Sequence, residues 1–233
     1  MVHRNVIRML VLIFLAQFAL NADAHPAESG NHELLAIGNS ITRHGPSSTL
    51  GWTGDWGMAA SNQGADYVSQ LANLLSTASN SGAWRVMRVN ASDIETKAAG
   101  YSIQALAALH PQDYEVVVIE LGDNAPRGTG DSFAPVYSSV VKASKPPKGV
   151  LACVGTWWTS PAIDKIIEEN CRNAGGVYVD ISGLSSTPQN VARNEREISN
   201  PGVGMHPSDR GMIEIAHRIF DQISKAEATG GYP

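Results

Sequence analysis

The sequence predicts an α/β fold: a five-stranded parallel sheet, doubly wound in the flavodoxin-like order 2-1-3-4-5, with helices on both faces. Three observations predict it. Strand-like runs at 33–38, 84–90, 114–121, 149–155 and 177–181 alternate with helical patterns, and that alternation builds parallel sheets. The run Val116-Val117-Val118-Ile119 is apolar without interruption, as a strand buried on both faces requires. The 233-residue chain shows no internal repeat, heptad run or long low-complexity linker, so one core suffices.

The elements follow in order. Arg4 and Arg8, an apolar stretch from Met9 to Leu20, and Ala22-Asp23-Ala24 read as a secretory signal peptide over residues 1–24. A single domain then spans 25–233, in a secreted or periplasmic protein that has no membrane attachment once the signal is cleaved. Segments 25–32 and 226–233 read as frayed ends. After the first strand run, Val68, Leu71, Leu75 and Ala78 share one face of a helix over 65–78. Ile103, Leu106 and Leu109 mark a shorter helix. Phe133, Val136, Tyr137 and Val140 mark the next, and Ile163, Ile166 and Ile167 another. The last starts near 209, with Met212, Ile215, Ala216, Ile219 and Ile223 at helical spacing and Ser208 as its N-cap.

Charge and ligand patterns narrow the chemistry. Loss of Arg4, Arg8 and Asp23 with the signal takes the formal charge from −5 to −6, which argues against nucleic acid as partner. The histidines and the two cysteines show no metal-ligand spacing. Cys153 and Cys171 are compatible with either a disulfide, which export permits, or two buried thiols.

In a sheet ordered 2-1-3-4-5 the ligand crevice opens beyond the C-terminal ends of strands one and three. Ser40 follows the first strand in Ile37-Gly38-Asn39-Ser40, and Asn124 follows the third in Gly122-Asp123-Asn124. His206, in Met205-His206-Pro207-Ser208, precedes the last helix and reaches the same edge. A hydroxyl, an amide and an imidazole at one crevice are the parts of acyl transfer to serine.

These residues resemble the SGNH hydrolases, the GDSL esterase/lipase superfamily, over most of the domain as an ordered set of blocks. The family's Gly-Asp-Ser matches Gly38-Asn39-Ser40, with Asn for Asp. Its strand ending in Asn resembles Val89-Asn90-Ala91-Ser92. Its Gly-x-Asn-Asp matches Gly122-Asp123-Asn124, with Ala125 in place of the acid. Its Asp-x-x-His-Pro matches His206-Pro207, with Val203 at the Asp position. The resemblance implies a three-layer α/β/α sandwich and ester hydrolysis without metal or organic cofactor. It implies Ser40 as nucleophile, His206 as general base, and the Asn124 amide with the Ser40 N–H as oxyanion donors. The family's third donor, a block-two glycine, is missing before Gly100, so a backbone group near Asp93 or Glu95 is the replacement to look for. With Val203 where the acid belongs, either a Ser–His dyad operates with a backbone carbonyl orienting His206, or an acid such as Asp209, Glu95 or Asp55 arrives from elsewhere.

Trp52 and Trp56 in a Gly-rich loop, His44 beside the nucleophile, and Trp157 with Trp158 after strand four are the expected substrate wall. The alternative for the indoles is that they pin the loop to the core. The expected function is a serine esterase removing a short acyl group, acetyl in particular, from a carbohydrate. Two other readings are an O-acyltransferase to glycans and a non-catalytic glycan-binding module on an esterase scaffold.

Overall fold

The computed structural model describes residues 32–79, 82–96, 103–126, 128 and 132–228; the expected signal peptide and residues 25–31 lie outside these. Five strands, β1 (Glu33–Gly38), β2 (Arg85–Asn90), β3 (Val116–Glu120), β4 (Val150–Val154) and β5 (Val177–Val179), form one sheet in the order β2-β1-β3-β4-β5. Every neighbouring pair is parallel. The predicted runs held, unchanged in β1 and with ends one or two residues shorter in the others where the ladder stops.

The helices are α1 (Tyr67–Ser79), α2 (Asp93–Thr96), α3 (Ile103–Ala107), α4 (Phe133–Ser144), α5 (Pro161–Asn173), α6 (Pro201–Gly204) and α7 (Asp209–Ala228). Alternation along the strands divides the core. Leu34, Ala36, Val116 and Val118 pack with Val68 and Leu71 of α1 and Ile215 and Ile219 of α7. Leu35, Ile37, Val117 and Ile119 pack with Ile94 of α2, Leu106 of α3, Tyr137 of α4 and Ile163 of α5 on the other face. A period of two on the strands thus meets a period near 3.6 on the helices, and three layers result. Among the described residues, no helix is long and apolar enough to cross a membrane.

Local chemistry sets the helix starts. The Asp66 carboxylate accepts from Ser69 N at 2.7 Å and so caps α1, which therefore begins two residues later than its apolar spacing suggests. Arg88 on β2 grips the same carboxylate, with Nε at 2.9 Å from Oδ2 and Nη2 at 3.2 Å from Oδ1. Ser208 caps α7 as predicted, its Oγ accepting from Gly211 N at 3.1 Å. Of the segment 226–233 expected to fray, residues 226–228 belong to α7 and the rest lies outside the described residues. Cys153 of β4 and Cys171 of α5 form a disulfide with their Cα atoms 6.0 Å apart, resolving the two readings left open by sequence.

Candidate active site

Ser40, Asn124 and His206 meet at the crevice beyond β1 and β3. The chain leaves β1 through Gly38, where a Cβ would lie 1.9 Å from Thr42 Oγ1 and 2.7 Å from Glu120 O. Only glycine lets the strand end that close to the turn behind it. The turn closes with Arg43 N donating to Asn39 O at 3.0 Å, and Ser40 stands at its tip. Ser40 Oγ lies 2.9 Å from His206 Nε2.

The second imidazole nitrogen fixes the proton inventory. His206 Nδ1 lies 3.0 Å from Gly202 O. A carbonyl oxygen only accepts, so Nδ1 carries the proton and Nε2 presents its lone pair to the serine hydroxyl. The carbonyl is aimed by α6, whose N-cap Asn200 accepts from Gly202 N at 2.9 Å and Val203 N at 3.2 Å. A main-chain oxygen four residues before the histidine thus stands where an acid three residues before it would otherwise act. Val203 itself is buried against Met58, Ala59 and Ala192. Burial pulls the His206 pKa down to about 4; the bond to Gly202 O opposes this, and the neighbouring His44 adds to it. The ring is therefore neutral at pH 7 and free to take a proton.

None of the three untethered acids reaches His206. Asp55 is clamped by Arg43, Nε to Oδ1 at 2.9 Å and Nη2 to Oδ2 at 2.7 Å. Asp209 accepts from Ser61 N at 2.7 Å and Ser61 Oγ at 2.5 Å, which ties α7 to the 61 loop.

Glu95 lies on the Asn124 side of Ser40. Its Oε1 accepts from Gly122 N at 2.5 Å, Asn124 N at 3.3 Å and Asn39 Nδ2 at 3.3 Å, and its Oε2 accepts from Asn124 Nδ2 at 2.7 Å. Two more buried acids stand behind it. Glu120 accepts from Asn39 Nδ2 at 3.3 Å and Thr42 Oγ1 at 3.1 Å, while Asp123 accepts from Trp158 N at 2.9 Å. Burial pushes Glu120 well above the usual carboxylate range, and the adjacent Asp123 and Glu95 charges push it further. Its neutral form is favoured accordingly. This arrangement also accounts for Asn39. Its amide nitrogen bridges Glu95 and Glu120 while its oxygen accepts from Ile41 N at 2.9 Å, whereas an Asp here would face two acids with no proton to offer.

The crevice is a pocket of about 650 Å³ whose walls include Ser40, His44, Asn90, Asn124, Trp158 and His206. His44 lines it as predicted. The other aromatic expectations need correction. Trp157 is fully buried, its Nε1 donating to Met205 O at 3.1 Å, and belongs to the core. Trp52 and Trp56 pack edge to face 5.7 Å apart, donate to His44 O at 2.7 Å and Ala60 O at 3.0 Å, and staple their loop without lining the pocket. Trp158 is the indole at the site, edge-on to His206 with ring centres 5.1 Å apart. The two neighbouring Trp after β4 thus have different surroundings, one buried and one on the pocket wall, and composition offers no signal for which. Among the described residues, no group of three or more His, Cys, Asp or Glu is placed to hold a metal ion.

No protein-family model and no curated protein matches this chain. Solved structures do resemble it. A two-domain esterase, CEX, active on acetylated mannans and crystallised with mannopentaose, superposes with a TM-score of 0.59 at 16% identity over 87% of this chain and 51% of that one. This chain therefore spans about half the length of that esterase. The psychrotrophic esterase EstA from Pseudoalteromonas sp. gives a TM-score of 0.54 at 14% identity over 84% of this chain and 99% of that one. A candidate SGNH hydrolase from Slackia heliotrinireducens gives 0.50 at 16% identity over 82% and 98%. The chain has the fold of the SGNH hydrolases, which is the fold its motifs resemble.

Proposed function

We propose that the protein is a serine esterase that removes short acyl groups, acetyl in particular, from carbohydrate, and that it works outside the cytoplasm. The single observation that carries the reaction type is the 2.9 Å contact between Ser40 Oγ and the unprotonated nitrogen of His206. Ser40 Oγ attacks the ester carbonyl carbon as His206 Nε2 takes its proton. The tetrahedral oxyanion accepts from the Asn124 amide and the Ser40 N–H. Collapse breaks the bond to the alkoxide, which leaves with the proton from Nε2. Water, deprotonated by the same nitrogen, then releases the acyl group as its acid and restores Ser40.

The substrate class rests on the pocket. Trp158 offers an apolar face next to hydrogen-bonding Asn90, Ser92 and Asn200, a combination suited to a sugar ring. The mannan esterase of the same fold lends support, as does the disulfide, which suits an oxidising compartment. The test is mass spectrometry after fluorophosphonate treatment, with hydrolysis of p-nitrophenyl acetate alongside. The adduct is expected on Ser40, and Ser40→Ala should lose at least about 10⁴-fold in kcat while keeping its thermal unfolding midpoint. An unlabelled Ser40, or full turnover by the variant, overturns the reading.

A further inference from the structure

We propose that Glu95 is a positioning residue for the Asn124 amide, the acceptor that sets where this oxyanion donor points. The inference rests on the esterase reading for the role of Asn124 and adds a residue that the acyl-transfer steps do not use.

Four N–H bonds converge on the one carboxylate, from Gly122 N, Asn124 N, Asn124 Nδ2 and Asn39 Nδ2. Only an ionised carboxylate offers two oxygens that accept throughout and force no donor against them. The side-chain amide of Asn124 has two N–H bonds. One is committed to Glu95 Oε2 at 2.7 Å, which stops rotation of the amide and leaves the other N–H at a set direction. The backbone is held as well. Gly122 has φ +140°, a conformation that turns its N–H onto Glu95 at 2.5 Å and begins the loop carrying Asn124. Asn39 brings the nucleophile turn to the same acceptor, one residue before Ser40. The separation between the two proposed oxyanion donors, Ser40 N–H and the Asn124 amide, is thereby referred to a single buried side chain, only 1% exposed. Burial pushes Glu95 up from the usual carboxylate range, and the bonds from Asn124, Gly122 and Asn39 oppose that push.

Steady-state kinetics on p-nitrophenyl acetate with Glu95→Gln, Asn124→Ala and the double variant test the proposal. A glutamine has the same shape but must turn an N–H against one of the four donors. Glu95→Gln is expected to lower kcat about 100-fold, the scale of one lost oxyanion donor, with KM within about twofold. The double variant is expected to be no slower than Asn124→Ala alone, because Glu95 acts through Asn124. Losses that multiply in the double variant, or a Glu95→Gln enzyme within twofold of wild type, overturn the proposal. If Ser40→Ala shows that the chain has no serine-dependent turnover, the esterase reading fails. The positioning claim then stands or falls on NMR of the folded wild-type protein. One Asn124 Hδ2 should be shifted downfield and protected from exchange. Both protons at ordinary asparagine shifts and freely exchanging would overturn it, as they would if Glu95→Gln did not fold.

Discussion

Ser40 lies between an imidazole whose Nδ1 bonds a backbone carbonyl and an amide backed by three buried carboxyl groups. The usual division of labour in serine hydrolysis puts an acid behind the imidazole, where it raises the basicity of the ring. Here the negative charge stands on the amide side instead. The difference teaches what each partner supplies. Gly202 O selects the tautomer of His206 but offers little charge, so burial prevails and the ring stays a weak base with a pKa of about 4. Glu95 offers charge and two acceptor oxygens to groups that only donate. The two sides also touch, since Asp123 holds the backbone of Trp158, whose ring packs edge-on against His206.

The comparison breaks most severely at the imidazole itself. His206→Ala should reduce kcat for p-nitrophenyl acetate by about 10⁴-fold or more, the scale seen when a serine loses its base. A loss below tenfold in stopped-flow assays would mean that Ser40 is activated by something else. The pH profile sharpens the contrast next. The proposed mechanism needs unprotonated His206, so kcat/KM should hold at pH 5 and fall as pH drops through about 4. Val203→Asp puts a carboxylate three residues before the histidine. It should lift that acid limb by about one unit or more, because a nearby anion favours the imidazolium. An unmoved limb would show that the carbonyl keeps its hold on Nδ1.

The smallest effect concerns the acid side. Asn39→Asp replaces the amide bridging Glu95 and Glu120 with a fourth carboxyl in the cluster. It should cost about 3 kcal/mol of stability at pH 7 in urea unfolding. The sign follows from burial and like charge, which raise the folded-state pKa of the new acid above its unfolded value. The folded state then binds more protons, so the variant regains stability as pH falls toward 5 and loses it as pH rises. An equal deficit at both pH values would mean that shape, not charge, is at issue.

Much of the fold was legible because the central strands β3 and β4 are buried throughout and read as apolar runs, while α1 and α7 carry one apolar stripe each. The nucleophile turn, the Asn124 loop and the α7 cap were legible for a related reason, as each stands at the end of a periodic segment. Glu95 was legible only as a possible acid for His206 or as the region of a backbone donor, and Glu120 not at all. One sits in a four-residue helix and the other ends a strand, and nothing in their local pattern marks them as buried. Trp157 was misread as pocket wall because nothing in the sequence tells which of two adjacent indoles is buried. Gly202 left no trace at all, since every residue has a carbonyl.

Sequence by itself determined the sheet, the order of its strands and hence the crevice where Ser40, Asn124 and His206 meet, because hydrophobic period and chain connectivity are local and additive. Which group would stand behind the imidazole, and which acid would anchor the amide, were decided by tertiary structure alone. Those choices depend on the direction of one carbonyl and the burial of one carboxylate, and such properties belong to no residue until the chain around it has packed.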